Sequence, residues 1–375
     1  MGWNRRLSEL SMNPILREDL DYIFNRLTPA ERAKFSGATV LVTGAAGFLG
    51  FSFLSFLGHQ AAALGIRKVI GLDTFMFGKP EWLSKLETDL PGVVESHAFD
   101  ISKDTISDVP GADVSNLVIH GASIASPIFY RQYPIVTLDA NIWGLRRLLD
   151  FYLKKDLAGF LFFSSSEIYG DPVPEAIPTD EEYRGNVACV GPRACYDESK
   201  RFGETMCSLF AQQYELPITV ARPFNNFGPG MRIDDQRVPA DFAKCILEHR
   251  DIDILSSGTP TRTFCYVADA IAGYLKCLTY GKYDYFNIGI ESPEISVRDL
   301  AEIYRKAGAE LNGYKGTVRY ATSADSDYLT HNPNRRCPII KKAREHLGYD
   351  PTIVVNVGVE RFLKFLMHDL KGEQS

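Results

Sequence analysis

The run Thr39-Val40-Leu41-Val42 is apolar and β-branched, and it enters GAAGFLG, whose glycines Gly44, Gly47 and Gly50 recur every third residue. An apolar stretch with helical character follows over residues 51–57. Strand, glycine turn and helix in that order constrain the fold severely, because they build a turn whose backbone can approach a pyrophosphate. Phe48 and Leu49 lie in the same turn, where the helix N-terminus presents unpaired N–H groups to an anion. The next apolar run, KVIGL over residues 68–72, ends in Asp73, about 20 residues beyond the turn. A carboxylate there accepts hydrogen bonds from an adenosine ribose and repels a 2′-phosphate, which favours NAD over NADP.

Strand and helix patterns go on alternating: residues 93–99 ending in Asp100 and Ile101, residues 117–120 ending in Gly121-Ala122-Ser123, a helix over 141–155 and a strand over 160–163. Such alternation predicts an α/β chain with a Rossmann-type doubly wound parallel sheet. Asp100 and Ile101 fall at the adenine edge of that plan, and Ala122 where the backbone passes the middle of the cofactor. His120, closing an apolar strand, is expected to be a core histidine. After a glycine–proline turn at residues 223–230 the alternation loosens, which places a smaller C-terminal substrate-binding lobe at 231–263 and 287–375. The dinucleotide-binding domain then covers 37–230 and 264–286. Residues 1–36 precede it as a helical extension, with Asn13 and Thr28 as N-caps and a capping box completed by Glu31.

The formal charge of −6 over 375 residues opposes a broad nucleic-acid surface. Seven cysteines show no zinc-like spacing and no CxxC pair, so no metal site is expected and the thiols read as reduced. The first residues lack the apolar core of a signal peptide, and no run is long enough to span a membrane. These features together predict a soluble, cytoplasmic protein.

Chemistry is signalled by two stretches. SSSEIYGDP, residues 164–172, emerges where an apolar strand ends, the usual ligand side of a parallel sheet. Ser165, Ser166 and Glu167 there supply two hydroxyls and a carboxylate. Downstream, Tyr196 and Lys200 stand four apart at the start of a helical pattern, sharing one face. An ammonium beside a phenol favours the phenolate, a base for a sugar hydroxyl.

GAAGFLG, HGASIASP, SSSEIYGDP, GPRACYDESKR, RPFNNFGPG and TRTFCYV, in this order, resemble the extended short-chain dehydrogenase/reductase enzymes that modify nucleotide sugars, and among them the UDP-glucuronate decarboxylases. The similarity spans residues 37–350 and leaves the extension outside. It implies a tightly held NAD that is returned unchanged. Tyr196 takes the proton of the sugar 4-hydroxyl as hydride leaves carbon 4, with Lys200 on the cofactor ribose and Ser165 and Ser166 beside the hydroxyl. Glu167 and Arg262 flank carbon 5. The 4-keto uronate is a β-keto acid and loses carbon dioxide before hydride returns.

The resemblance also assigns substrate contacts to Ser126, Asn225, Arg232, Val238, Arg262 and Arg336, and a homodimer formed through the helices at 141–155 and 196–214, where Trp143, Phe202 and Leu209 are apolar. Two departures stand out: Gly230 replaces an arginine of the glycine–proline turn, and Ile339 replaces an aspartate after the PxxRxP segment. A 4-epimerase or 4,6-dehydratase is the alternative enzyme. A non-catalytic NAD-binding scaffold is the alternative of another class, although it would need none of Tyr196, Lys200, Glu167 and Arg262.

Overall fold

Seven parallel strands form the central sheet of the computed structural model, which describes residues 12–323, 330 and 333–372. They are β1 Thr39–Thr43, β2 Lys68–Asp73, β3 Val94–Ala98, β4 Leu117–His120, β5 Gly159–Phe163, β6 Ile218–Pro223 and β7 Asp284–Ile288. Their spatial order is 3-2-1-4-5-6-7, so the winding reverses between β1 and β4. A crevice opens at such a reversal, outside the carboxyl ends of the strands. The sheet is that expected of a doubly wound fold, except that Asn287 and Ile288 belong to it: the lobe starts after β7, two residues later than the pattern suggested.

Alternation along the strands feeds two apolar layers. Val40, Val42, Leu117, Ile119, Leu161 and Phe163 point to one face, and Leu41, Val118, Phe160 and Phe162 to the other. The second face carries α3 (Leu145–Tyr152) and α4 (Ala194–Tyr214). On α4, Met206 and Phe210 pack inward, while Phe202 and Leu209 face out. The helix expected over 141–155 starts with a π-helical turn, Ala140–Gly144, where Gly144 lies against Ile101 and Asn141 donates to the Ser199 hydroxyl of α4.

The first face carries α2 (Phe48–His59) and α6 (Val267–Leu278). α2 is buried on all sides from Gly50 to Gly58, and each large side chain so removed from water contributes about 2 kcal/mol. The lobe holds α5 (Val238–Leu247), α7 (Val297–Asn312) and short strand pairings: Ile252–Ile254 with Val318–Tyr320, and Thr261–Arg262 between Ile295–Ser296 and Arg335–Arg336. Its apolar interior is continuous with the first layer of the sheet domain.

The N-terminal extension covers its own chain. Helix α1 (Pro14–Arg26), capped by Asn13, buries Leu20 and Ile23 against α6 and α8 (Val355–Gly372). Asp19 accepts from the Tyr266 hydroxyl at 2.7 Å and pairs with Arg361, while Glu31 pairs with Lys276 at 3.0 Å. The capping box of Thr28 and Glu31 is present, and residues 1–11 lie outside the described part. Among the described residues no helix is long and apolar enough to cross a membrane, and no cluster of histidine, cysteine and carboxylate groups could hold a metal.

Candidate active site

One cavity of about 1280 Å³ runs along the carboxyl ends of the strands, from Asp73 and Asp100 past the glycine turn and Tyr196 into the lobe. Its first half is made largely of backbone. Gly44 has φ +74°, and a Cβ there would stand 2.8 Å from the carbonyl of Gly121; a Cβ on Gly50 would meet the Ala45 carbonyl at 2.4 Å. Only glycine lets the turn, the end of β4 and the start of α2 come this close. Gly47, Phe48 and Leu49 line the same stretch, with Gly47 as N-cap of α2.

Asp73 closes β2 and accepts from the Ala46 and Phe75 amides at 3.0 and 2.9 Å; burial raises its pKa against those two bonds. It therefore pins the glycine turn as well as edging the cavity. Asp100 is held by Ser102 and Lys103; despite the desolvation cost, those contacts keep its pKa below the ordinary value. Ile101 and Ala122 line the wall, and the Ala122 amide donates to Thr43, whose hydroxyl meets His120 Nδ1 at 2.8 Å. Burial, then the charge of Lys200, pushes His120 down to about 3. It is a neutral core residue, as its place in the sequence suggested.

Side chains take over in the second half. Tyr196 and Lys200 share a face of α4, and Tyr196 stands near Ser165, whose hydroxyl favours its ionised form. Burial pushes the phenol up to about 12 against that effect, and pushes the ammonium of Lys200 down to about 7. Lys200 Nζ donates to the Phe163 carbonyl at 2.8 Å and lies 5.6 Å from the Tyr196 ring centre. The expected lysine-stabilised phenolate is thus not produced by these two groups alone, because loss of water disfavours both charged forms and outweighs their attraction.

Glu167 is the most heavily constrained group. Burial would raise its pKa, but Arg193, Arg336 and Arg262 together overcome this and hold it below the usual carboxylate range. Arg336 Nη1 lies 2.9 Å from Glu167 Oε1 and 3.0 Å from the Ser166 hydroxyl, and its Nη2 donates to the Gly170 carbonyl; Arg193 pairs with Oε2. Arg193 also lies 3.5 Å from Asp197, whose carboxyl is raised by burial and by the charge of Glu167.

Glu167 and Arg262, expected to flank carbon 5, both line the cavity. Arg262 acts on Glu167 through its charge and donates to the carbonyls of Thr261, Asn334 and Pro333. Arg336, expected in contact with substrate, is 3% exposed and stands behind Glu167, outside the cavity wall. A two-residue strand pairs Arg335–Arg336 with Thr261–Arg262, so two arginines from distant segments arrive side by side and packing decides which one reaches the carboxylate.

Arg193 and Tyr130 were not singled out from the sequence, yet both line the cavity. The Tyr130 ring stacks on Tyr196 with centroids 5.1 Å apart, and its buried hydroxyl has no hydrogen-bond partner among the described residues. Arg193, three residues before Tyr196, could have been found by helical spacing.

Of the remaining expected contacts, Ser126, Asn225, Arg232 and Val238 all line the cavity. The Ser126 hydroxyl donates to the Asp235 carbonyl, and Asn225 Nδ2 to that of Thr263. Arg232 pairs with Asp234 and covers the Phe77 ring at 5.3 Å. Gly230 has φ +89°, and a Cβ there would be 2.5 Å from the ring of Phe51. The turn at Gly230 thus packs against an aromatic ring from α2 that leaves no room for a side chain there.

Residues 40–289 match the model of the NAD dependent epimerase/dehydratase family. The chain belongs to that family. UDP-glucuronic acid decarboxylase 6 of Arabidopsis thaliana is a relative, 32% identical over 334 residues, which are 88% of this chain and 90% of the relative. Among solved structures of similar fold, an epimerase from Methanothermobacter thermautotrophicus gives a TM-score of 0.76 at 25% identity, covering 92% of this chain and 96% of that one. The UDP-glucuronic acid 4-epimerase of Bacillus cereus, solved with UDP-glucuronic acid and NAD, gives 0.70 at 24%, covering 88% and 99%.

Proposed function

We propose that this chain is an NAD-dependent enzyme that decarboxylates a UDP-glucuronate-like nucleotide sugar through a 4-keto intermediate. The carrying observation is Glu167, locked between Arg193 and Arg336 beside Tyr196 and Ser165. The Arabidopsis relative supports the choice of reaction. The cofactor half fits NAD: its glycines let the turn, the end of β4 and the start of α2 close into a backbone-lined cradle, and Asp73 edges the cavity with a carboxylate. When bound, NAD supplies the hydride acceptor, and the positive charge of its ring favours the phenolate of the nearby tyrosine.

Tyr196, beside Ser165, takes the proton of the 4-hydroxyl. Oxidation at carbon 4 makes the uronate a β-keto acid, whose carbon–carbon bond breaks with the electrons flowing into the ketone. Arg193 and Arg262 line the cavity on the side where a substrate carboxylate would lie, and a guanidinium can grip it with two parallel bonds. The enolate so formed must take a proton at carbon 5, which water supplies; Glu167, kept ionised, can accept a hydrogen bond from that water and hold it there. Tyr130 offers its unbonded hydroxyl to the sugar.

A 4-epimerase is the second reading, favoured by the fold shared with the Bacillus cereus enzyme. Incubating the enzyme and NAD with a panel of nucleotide sugars, uronates included, and following products by mass tests both. Loss of carbon dioxide supports decarboxylation; an unchanged mass with an altered sugar supports epimerisation and overturns it. The protein acts, in this reading, as a cytoplasmic homodimer joined through α3 with its preceding π-helical turn and α4, where Trp143, Phe202 and Leu209 are exposed. Sedimentation at micromolar concentration showing only monomer would overturn the dimer.

A further inference from the structure

The charged groups gathered around Glu167 divide unevenly by sign. Glu167 and Asp197 are the carboxylates, and Arg193, Arg262 and Arg336 act on one or both of them. With every member ionised, the cluster carries one positive charge in excess. Asp171 also acts on Arg262, but it is exposed and screened by water. A buried excess charge is costly, so such a cluster favours a ligand of opposite sign.

Asp197 is its least satisfied member. It is 5% exposed, and its Oδ2 lies 3.5 Å from Arg193 Nε. Its Oδ1 and the Arg193 Nε have no hydrogen-bond partner among the described residues. Arg193 lines the cavity and pairs closely with Glu167, whereas Asp197 is outside the cavity wall. One guanidinium thus links the space for the sugar to a carboxylate that the sugar does not touch.

We propose that Asp197 takes up a proton when the carboxylate of a uronate substrate binds at Arg193, so that the preference for an acidic over a neutral sugar depends on pH. The inference rests on the nucleotide-sugar reading above. A substrate carboxylate competes for the guanidinium that holds Asp197 ionised and adds negative charge nearby; both effects favour the protonated form. Protonation also relieves the unbonded oxygen, because burial penalises the anion far more than the neutral acid. The proton comes from solvent and returns to it once the carboxylate has left as carbon dioxide and a neutral pentose occupies the site.

The groups that face Asp197 set the range. Burial raises its carboxyl most, Glu167 from the turn after β5 raises it further, and Arg193 and Arg336 lower it, which leaves it at about 7. Tyr130, Tyr196 and Cys195 also feel its charge, and burial keeps all three neutral at that pH. Well below pH 7 Asp197 is already protonated in the free enzyme, so binding takes up nothing. Above it the uptake grows, and uronate affinity falls as pH rises.

Calorimetric titration of NAD-loaded Tyr196→Phe, which binds without turning over, with UDP-glucuronate and with UDP-glucose tests this. Repeating each titration at about pH 8 in two buffers of different ionisation enthalpy counts the protons. The uronate is expected to take up about half a proton or more beyond the neutral sugar, and its affinity relative to that sugar to fall about tenfold from about pH 7 to 9. Adding Asp197→Asn, a neutral stand-in for the protonated acid, should abolish the extra uptake and tighten uronate binding about tenfold near pH 9. UDP-glucose, unchanged, is the control for a folded site. Equal uptake for the two sugars would overturn the assignment while leaving the nucleotide-sugar reading intact. So would an extra uptake that survives Asp197→Asn, which would pass the role to another group such as Lys200, itself at about 7. Failure of UDP-glucuronate to bind at all would overturn the uronate reading and this inference with it.

Discussion

The two halves of the cavity are built by opposite means. Around the cofactor, the chain relies on backbone: Gly44, Gly47 and Gly50 bring β1, the turn and α2 together, and a single carboxylate, Asp73, closes the group. Around the reacting sugar it relies on charge, with Glu167 fixed by arginines from residues 193 and 336. The first arrangement is local and limited by sterics. The second is long-range and limited by the cost of leaving a buried charge unpaired. Backbone crowding tolerates no added atom, whereas a charge cluster tolerates reshaping but not loss of one sign.

Breaking the second half at its centre should have the largest effect. Tyr196→Phe removes the phenol beside Ser165 that takes the sugar proton, and turnover should fall by about 10⁴-fold or more while NAD stays bound. Cofactor released from the denatured protein and product mass, measured on the same sample, check both halves at once. Next comes Glu167→Gln, which keeps the shape and removes the charge. Steady-state turnover should drop by roughly 10²- to 10⁴-fold, with NADH accumulating in a single turnover because oxidation precedes the step this carboxylate serves. Unchanged turnover would make Glu167 a structural residue.

Gly44→Ala probes the first half. The new Cβ would meet Gly121 backbone at 2.8 Å in a left-handed conformation, so a loss of about 1–3 kcal/mol in stability and of bound NAD is expected in thermal melts. If NAD affinity survives, the steric account of the cofactor half fails.

A smaller effect sharpens the comparison at the boundary. Burial lowers Lys200 from 10.5 to about 7 in the folded protein. Between those values the unfolded chain binds the extra proton, so the contribution of this group to stability is low near pH 7 and rises as pH increases toward 10.5. Denaturant titrations of the cofactor-free protein from pH 7 to 10 should show that rise, and Lys200→Met should flatten it.

What could be read from the sequence follows the same division. The strand, the glycine turn, α2 and Asp73 lie within 35 residues, and their steric logic is carried by residue type alone. Tyr196 with Lys200, and His120 as a core residue, were legible for the same local reason. The partner of Glu167 was not: Arg262 and Arg336 sit on neighbouring two-residue strands, and nothing in their local sequence says which reaches a turn 170 residues away from the latter. Nor could the state of the tyrosine–lysine pair be read, since it depends on how completely both are dried by packing. Phe51 stands against Gly230, so the departure noted in that turn lies under an aromatic ring of α2, a contact that neither segment announces by itself.

The docking of α1 has a consequence for how the protein is made. Asn13 donates to the Phe365 carbonyl and to Asp369, across 352 and 356 positions, and Phe365 and Asp369 also line the cofactor cavity. At a synthesis rate of about 5–20 residues per second, α1 waits on the order of 20 to 70 s before α8 exists to receive it. During that time the apolar face of Leu20, Ile23 and Leu27 has only α2 and, once it emerges, α6 to pack against. α1 is thus made early and fully secured late, and the wall of the cavity near Phe365 is finished in the same event.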